Sequence, residues 1–149
     1  MENLEQILKR YGKRPGSRYW LSERPNVRDN QLVSEILLKI GYPTTLRQFD
    51  IGQLITPNWQ SAANILGFAA TRSLAYDLAR SPSEGTVKEA LTALRDLDST
   101  AIFRANGAWG AWTDHDFKSW APVSSATFDA GLLGYDRTNA FIFWVEEED

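Results

Sequence analysis

The run Phe141-Ile142-Phe143-Trp144-Val145 constrains the fold of this chain more than any other stretch. All five residues are aromatic or β-branched, types that suit a pleated, buried surface better than a helix. No polar residue alternates with them, so both faces of the strand must be covered, which predicts a central strand. A second apolar run, Asp129 to Tyr135, precedes it across Asp136-Arg137-Thr138-Asn139. That spacing predicts a hairpin, because Asp and Asn bond their own backbone in turns and tolerate left-handed dihedrals. The second run leads directly into Glu146, Glu147, Glu148 and Asp149.

The first two thirds of the chain read as helical. Leu4, Ile7, Leu8 and Tyr11 recur at helical spacing ahead of Gly12. Lys13 to Asn26 is broken by Pro15, Gly16 and Pro25, with Arg18 to Leu21 as a short edge strand. Asp29 is the expected N-cap of a helix carrying Leu32, Val33, Ile36, Leu37 and Ile40, which ends at Gly41. Thr44 to Thr56 reads as a short helix or turn. Thr56-Pro57 signals the start of a helix with a stripe from Trp59 to Leu78. Thr86 and Glu89 form a capping box for another, with Val87, Ala90, Leu91, Leu94 and Leu97 inward.

From Ser99 the period changes. Ala101 to Phe103 reads as a strand, Asn106-Gly107 as a hairpin turn and Ala108 to Thr113 as the return strand. The expected fold is therefore α+β, with N-terminal helices packed on one face of a C-terminal antiparallel sheet of three to four strands. A chain of 149 residues predicts one domain, residues 1–149, mainly helical to residue 98 and built of β hairpins from 99.

Composition excludes several classes. There is no cysteine, which rules out a disulfide framework and Cys-ligated zinc. No stretch reaches the roughly 18 apolar residues of a membrane span, and the first residues carry no apolar signal region. The expectation is a cytoplasmic protein with no membrane association and no cofactor. Charge is distributed as a gradient. Residues 1–28 hold seven basic side chains against three acidic ones, whereas residues 96–149 hold ten acidic against three basic. Its first reading is attraction between the two ends of the chain. A second is an acidic face that steers a cationic partner.

Candidate chemistry is sparse. Asp114-His115-Asp116 places the sole histidine between carboxylates, yet neighbours in an extended segment point to opposite faces, and one histidine supplies zinc poorly. A turn with a surface histidine is the simpler reading. Asp129 and Asp136 have the types of a general acid and base pair, but aspartates at strand ends are usually turn formers. No nucleophile elbow or phosphate-binding glycine loop occurs. Lys9 to Arg28 has the composition of an anion-binding segment, although the remaining acidic chain would repel a nucleic acid. Of six tryptophans, Trp59 and Trp144 read as core, while Trp109, Trp112 and Trp120 lie in glycine-rich and polar surroundings that suit interface anchors.

The closing strand Phe141 to Val145 with Glu146 to Asp149, after Phe128-Asp129-Ala130-Gly131-Leu132-Leu133-Gly134-Tyr135-Asp136, resembles the ends of small bacterial immunity proteins of polymorphic or contact-dependent toxin systems. The resemblance covers about a sixth of the chain. It implies a cytoplasmic, non-catalytic inhibitor of one toxin domain. The expected function is thus binding of a cationic, nuclease-type protein partner through Trp109, Trp112, Asp114, Asp116, Trp120, Glu146, Glu147, Glu148 and Asp149. On this reading, reversing the charges of Glu146, Glu147 and Glu148 slows association without unfolding the protein. The alternatives are a metal-dependent hydrolase using Asp114, His115, Asp116 and Asp129, and an anionic-ligand binder using Lys9 to Arg28.

Overall fold

A computed structural model describes residues 1–43, 51–76, 81–107 and 123–148. Its elements are α1 (Glu2–Tyr11), β1 (Ser17–Glu23), α2 (Asp29–Leu38), a 3-10 turn (Ile51–Gln53), α3 (Trp59–Thr71), α4 (Glu84–Leu94), β2 (Ile102–Ala105), β3 (Phe128–Tyr135) and β4 (Asn139–Glu147). The strands form one antiparallel sheet in the order β1-β4-β3-β2. The fold is α+β, with its helices mostly N-terminal and the sheet mostly C-terminal.

The two-sided apolar run occupies the position it requires. β4 lies inside the sheet between β1 and β3, and every residue from Ala140 to Val145 is completely buried. Phe141, Phe143 and Val145 face a core built with α1, α3 and α4, while Ala140, Ile142 and Trp144 face a second core built with α2. Among the described residues three helices therefore share one face, and α2 alone crosses to the other. β1 comes from the N-terminal half and closes the sheet beside β4, as the edge-strand reading of Arg18 to Leu21 anticipates.

The expected turn at Asp136 to Asn139 is present. Asp136 Oδ1 accepts from the N–H groups of Thr138 and Asn139, each at 2.8 Å, and Asp136 N–H donates to Asn139 O. Gly41 ends α2 with φ +87°, a conformation that costs glycine little, and Tyr42 N–H returns to Leu37 O. Gly131 serves another purpose. A Cβ there would lie 2.2 Å from Phe143 O and 2.6 Å from the Trp144 ring, so its absence lets the indole lie across β3.

Helix ends depart from the sequence reading. α3 is capped by Asn58, whose side chain accepts from Ser61 N–H, and it stops at Thr71, so Leu74 is buried outside the helix. α4 is capped by Ser83 rather than Thr86. Asp29 does not cap α2; it lies in the first turn and pairs with Arg24 at 2.7 Å. α1 has no side-chain cap of its own, and Asp96, 92 residues away, accepts from Leu4 N–H. The expected return strand Ala108 to Thr113 lies outside the described residues.

Candidate partner-binding site

Of the residues expected to meet a partner, Trp109, Trp112, Asp114, Asp116, Trp120 and Asp149 lie outside the described residues, as does His115. The structure does place the two stems of the chain that carries most of them. Both stems meet at Asp129. This carboxylate is completely buried on the α2 face of β3. From the upstream stem, Asn106 Nδ2 donates to Asp129 Oδ1 at 2.8 Å and to its carbonyl at 2.9 Å. From the downstream stem, Val123 N–H donates at 3.0 Å, and Ser124 N–H and Oγ–H each donate at 2.8 Å. Trp144 Nε1–H, placed there by the gap at Gly131, completes the set at 3.2 Å.

Burial raises the Asp129 carboxyl above its ordinary value, and the donors from Ser124, Trp144 and Val123 offset part of that rise. Asp129 is therefore an anchor within the fold rather than the turn former of the sequence reading. Asn106 is likewise 1% exposed and braces Asp129, where the sequence suggests a hairpin turn.

The acidic end of β4 reaches the same end of the sheet, since Phe128 pairs with Glu147 and Asp129 with Glu146. Two of its carboxylates are taken up internally. Glu147 accepts from Ser73 Oγ at 2.6 Å, Leu74 N–H at 2.9 Å and Arg14 at 3.1 Å. Glu146 accepts from Tyr42 Oη at 2.8 Å and pairs with Arg18 at 2.7 Å, and the same guanidinium lies over the Tyr42 ring. Burial, reinforced by Glu146, pushes the Tyr42 hydroxyl well above the usual phenol range. Among the described residues Glu148 reaches only Thr127, and it is exposed. The expectation that Glu146 and Glu147 present free charge is corrected accordingly: arginines from the start of the chain neutralise both.

The same pairing consumes much of the basic segment. Arg10 bonds Glu89, Arg14 also donates to Ala69 O, and Arg24 bridges Asp29 and Asp136 O. Four of the seven cations between Lys9 and Arg28 thus make internal ion pairs. Among the described residues no group of three or more His, Asp or Glu side chains is placed to hold a metal, and no helix is long and apolar enough to cross a membrane.

These contacts predict acid sensitivity with a definite sign. Burial works to raise Asp96, Asp136 and Glu147, but hydrogen bonds outweigh it, and all three lie below their ordinary values of 3.8, 3.8 and 4.5. A depressed carboxyl stabilises the fold above its unfolded value, and that stability is lost as pH falls through the folded value. Asp129 is raised and acts in the opposite direction. Denaturation from about pH 5 downward should show falling stability, and Glu147→Gln should flatten the fall. An acid slope identical to wild type would remove Glu147 from this role.

No protein-family model, curated protein or solved structure matches the chain. The class defined by its own elements is an α+β fold whose buried acid holds both roots of a Trp-rich connection.

Proposed function

We propose that this protein is a non-catalytic, cytoplasmic binding module that occludes a cationic protein partner, in the manner of immunity proteins directed at nuclease-type toxins. The segment 108–122, with Trp109, Trp112, Asp114, Asp116 and Trp120, is its docking element. The observation that supports this reading is the shared root at Asp129, which ties both ends of that segment to the sheet. Recognition residues typically sit on connections held by such a scaffold. Glu148 stands at the same end of the sheet and contributes charge together with Asp149. Glu146 and Glu147 are excluded from the docking set because their charge is compensated internally.

The test uses a nuclease toxin domain encoded by the adjoining reading frame. In stopped-flow mixing at low salt, a variant with Asp114→Lys and Asp116→Lys should associate at least about tenfold more slowly, with the deficit shrinking as salt rises. Trp112→Ala should act on dissociation instead, speeding it by about tenfold or more. Unchanged rates in both variants would remove the segment from the interface, and absence of any complex would remove the toxin partner.

A further inference from the structure

The two edges of the sheet are treated differently. β2 is four residues long and is covered: Ile55 and Ala105 exchange both backbone hydrogen bonds, at 2.8 and 3.1 Å, and Arg104 donates to the Ile51 and Leu54 carbonyls. β1 is seven residues long, Ser-Arg-Tyr-Trp-Leu-Ser-Glu, with no proline, glycine or lysine to discourage pairing. Its ladder to β4 runs through the even-numbered residues, because Glu146 N–H bonds Gly16 O at one end and Arg24 N–H bonds Thr138 O at the other. The N–H and C=O groups of Tyr19, Leu21 and Glu23 consequently point outward, and they meet no partner among the described residues.

We propose that this edge pairs with a second copy of itself, joining two four-stranded sheets through antiparallel β1 strands. This inference is independent of the docking segment. The sequence of β1 selects a second copy and a register. A twofold centred on Trp20 is the one register that pairs the whole strand, setting Tyr19 against Leu21, Ser17 against Glu23 and Arg18 against Ser22. No like charges face each other, and half-buried Trp20 meets its symmetry mate on the α2 face. A centre at Leu21 would instead oppose Arg18 to Arg24. On the other face a cleft of about 300 Å³ between α1 and β1 opens beside Tyr19 and Leu21 and leaves room for the incoming side chains. β3 lies two strand spacings from this edge, about 10 Å, so each copy keeps its Asp129 root clear of the partner.

Sedimentation equilibrium of the full chain over a wide concentration range tests the pairing. Ser22 is exposed, so substitutions there leave the fold intact, which a thermal melt verifies. Ser22→Lys places a cation opposite Arg18 of the other copy, twice by symmetry, and should weaken the dimer about tenfold; Ser22→Glu should tighten it by a similar factor. Hydrogen exchange should show the Tyr19, Leu21 and Glu23 amides gaining protection with concentration, while those of Trp20 and Ser22 stay protected throughout. A chain that remains monomeric up to millimolar concentration overturns the proposal. So does a dimer indifferent to both Ser22 substitutions, which would place its interface elsewhere.

Discussion

Asp129→Ala is expected to cost about 4 kcal/mol of folding stability, a large share of the 5–15 kcal/mol typical of a domain. The loss does not come from packing. It comes from donors that keep their places when the acceptor disappears: Val123 N–H, Ser124 N–H, Trp144 Nε1–H and Asn106 Nδ2. Each buried donor left unpaired costs about 1–3 kcal/mol, and since the four share one site the costs do not add fully. Asp129→Asn keeps one acceptor oxygen and turns an NH₂ toward the remaining donors, so an intermediate cost of about 2 kcal/mol follows. Urea denaturation followed by circular dichroism should rank the proteins as wild type, Asn, Ala. Hydrogen exchange should also show the Val123 and Ser124 amides opening more readily than those of β4. A loss below about 1 kcal/mol for Asp129→Ala would mean that the roots of the segment are held by something else.

Much of the fold is legible because apolar periodicity depends only on local spacing. Leu4, Ile7, Leu8 and Tyr11 are all buried on one stripe of α1, and the unbroken apolar run of β4 states that it is covered on both sides. Helix starts are less legible, because capping side chains occur redundantly. Thr56 and Asn58 lie two residues apart, Ser83 and Thr86 three, and only Asn58 and Ser83 cap. Asp129 resembles a turn residue only when read by type. Its signal was positional: it lies on the same face of β3 as Gly131 and Leu133, so an acid there is buried as soon as that face is covered. The partners of Glu147 have no local signal. Arg14 is 133 residues away, and only the opposite net charge of the two ends hints at the contact.

That hidden pairing makes the acidic end of β4 unequal from residue to residue, and charge reversal exposes the difference. Glu147→Lys should destabilise the protein by about 3–4 kcal/mol, whereas Glu148→Lys should fall within about 0.5 kcal/mol of wild type. At position 147 the substitution removes the acceptor for Ser73 Oγ, Leu74 N–H and Ala75 N–H, and sets an ammonium against Arg14. Arg14 cannot escape by losing its proton in the accessible pH range, and its side chain is only 19% exposed, so solvent screens the repulsion weakly. Glu148 has one partner among the described residues, Thr127, and an exposed side chain that can turn into water. Glu147→Gln, which keeps an acceptor but gives up the ion pair, should lie between them at about 2 kcal/mol. Thermal and urea denaturation of the three variants check this order, and a Glu147→Lys protein as stable as Glu148→Lys would show that Glu147 does not hold β4 to Arg14 and to the loop after α3. The order also decides how binding is to be probed: a partner lost on reversing Glu147 would report unfolding as much as a missing contact, whereas one lost on reversing Asp114, Asp116 or Glu148 would report the interface.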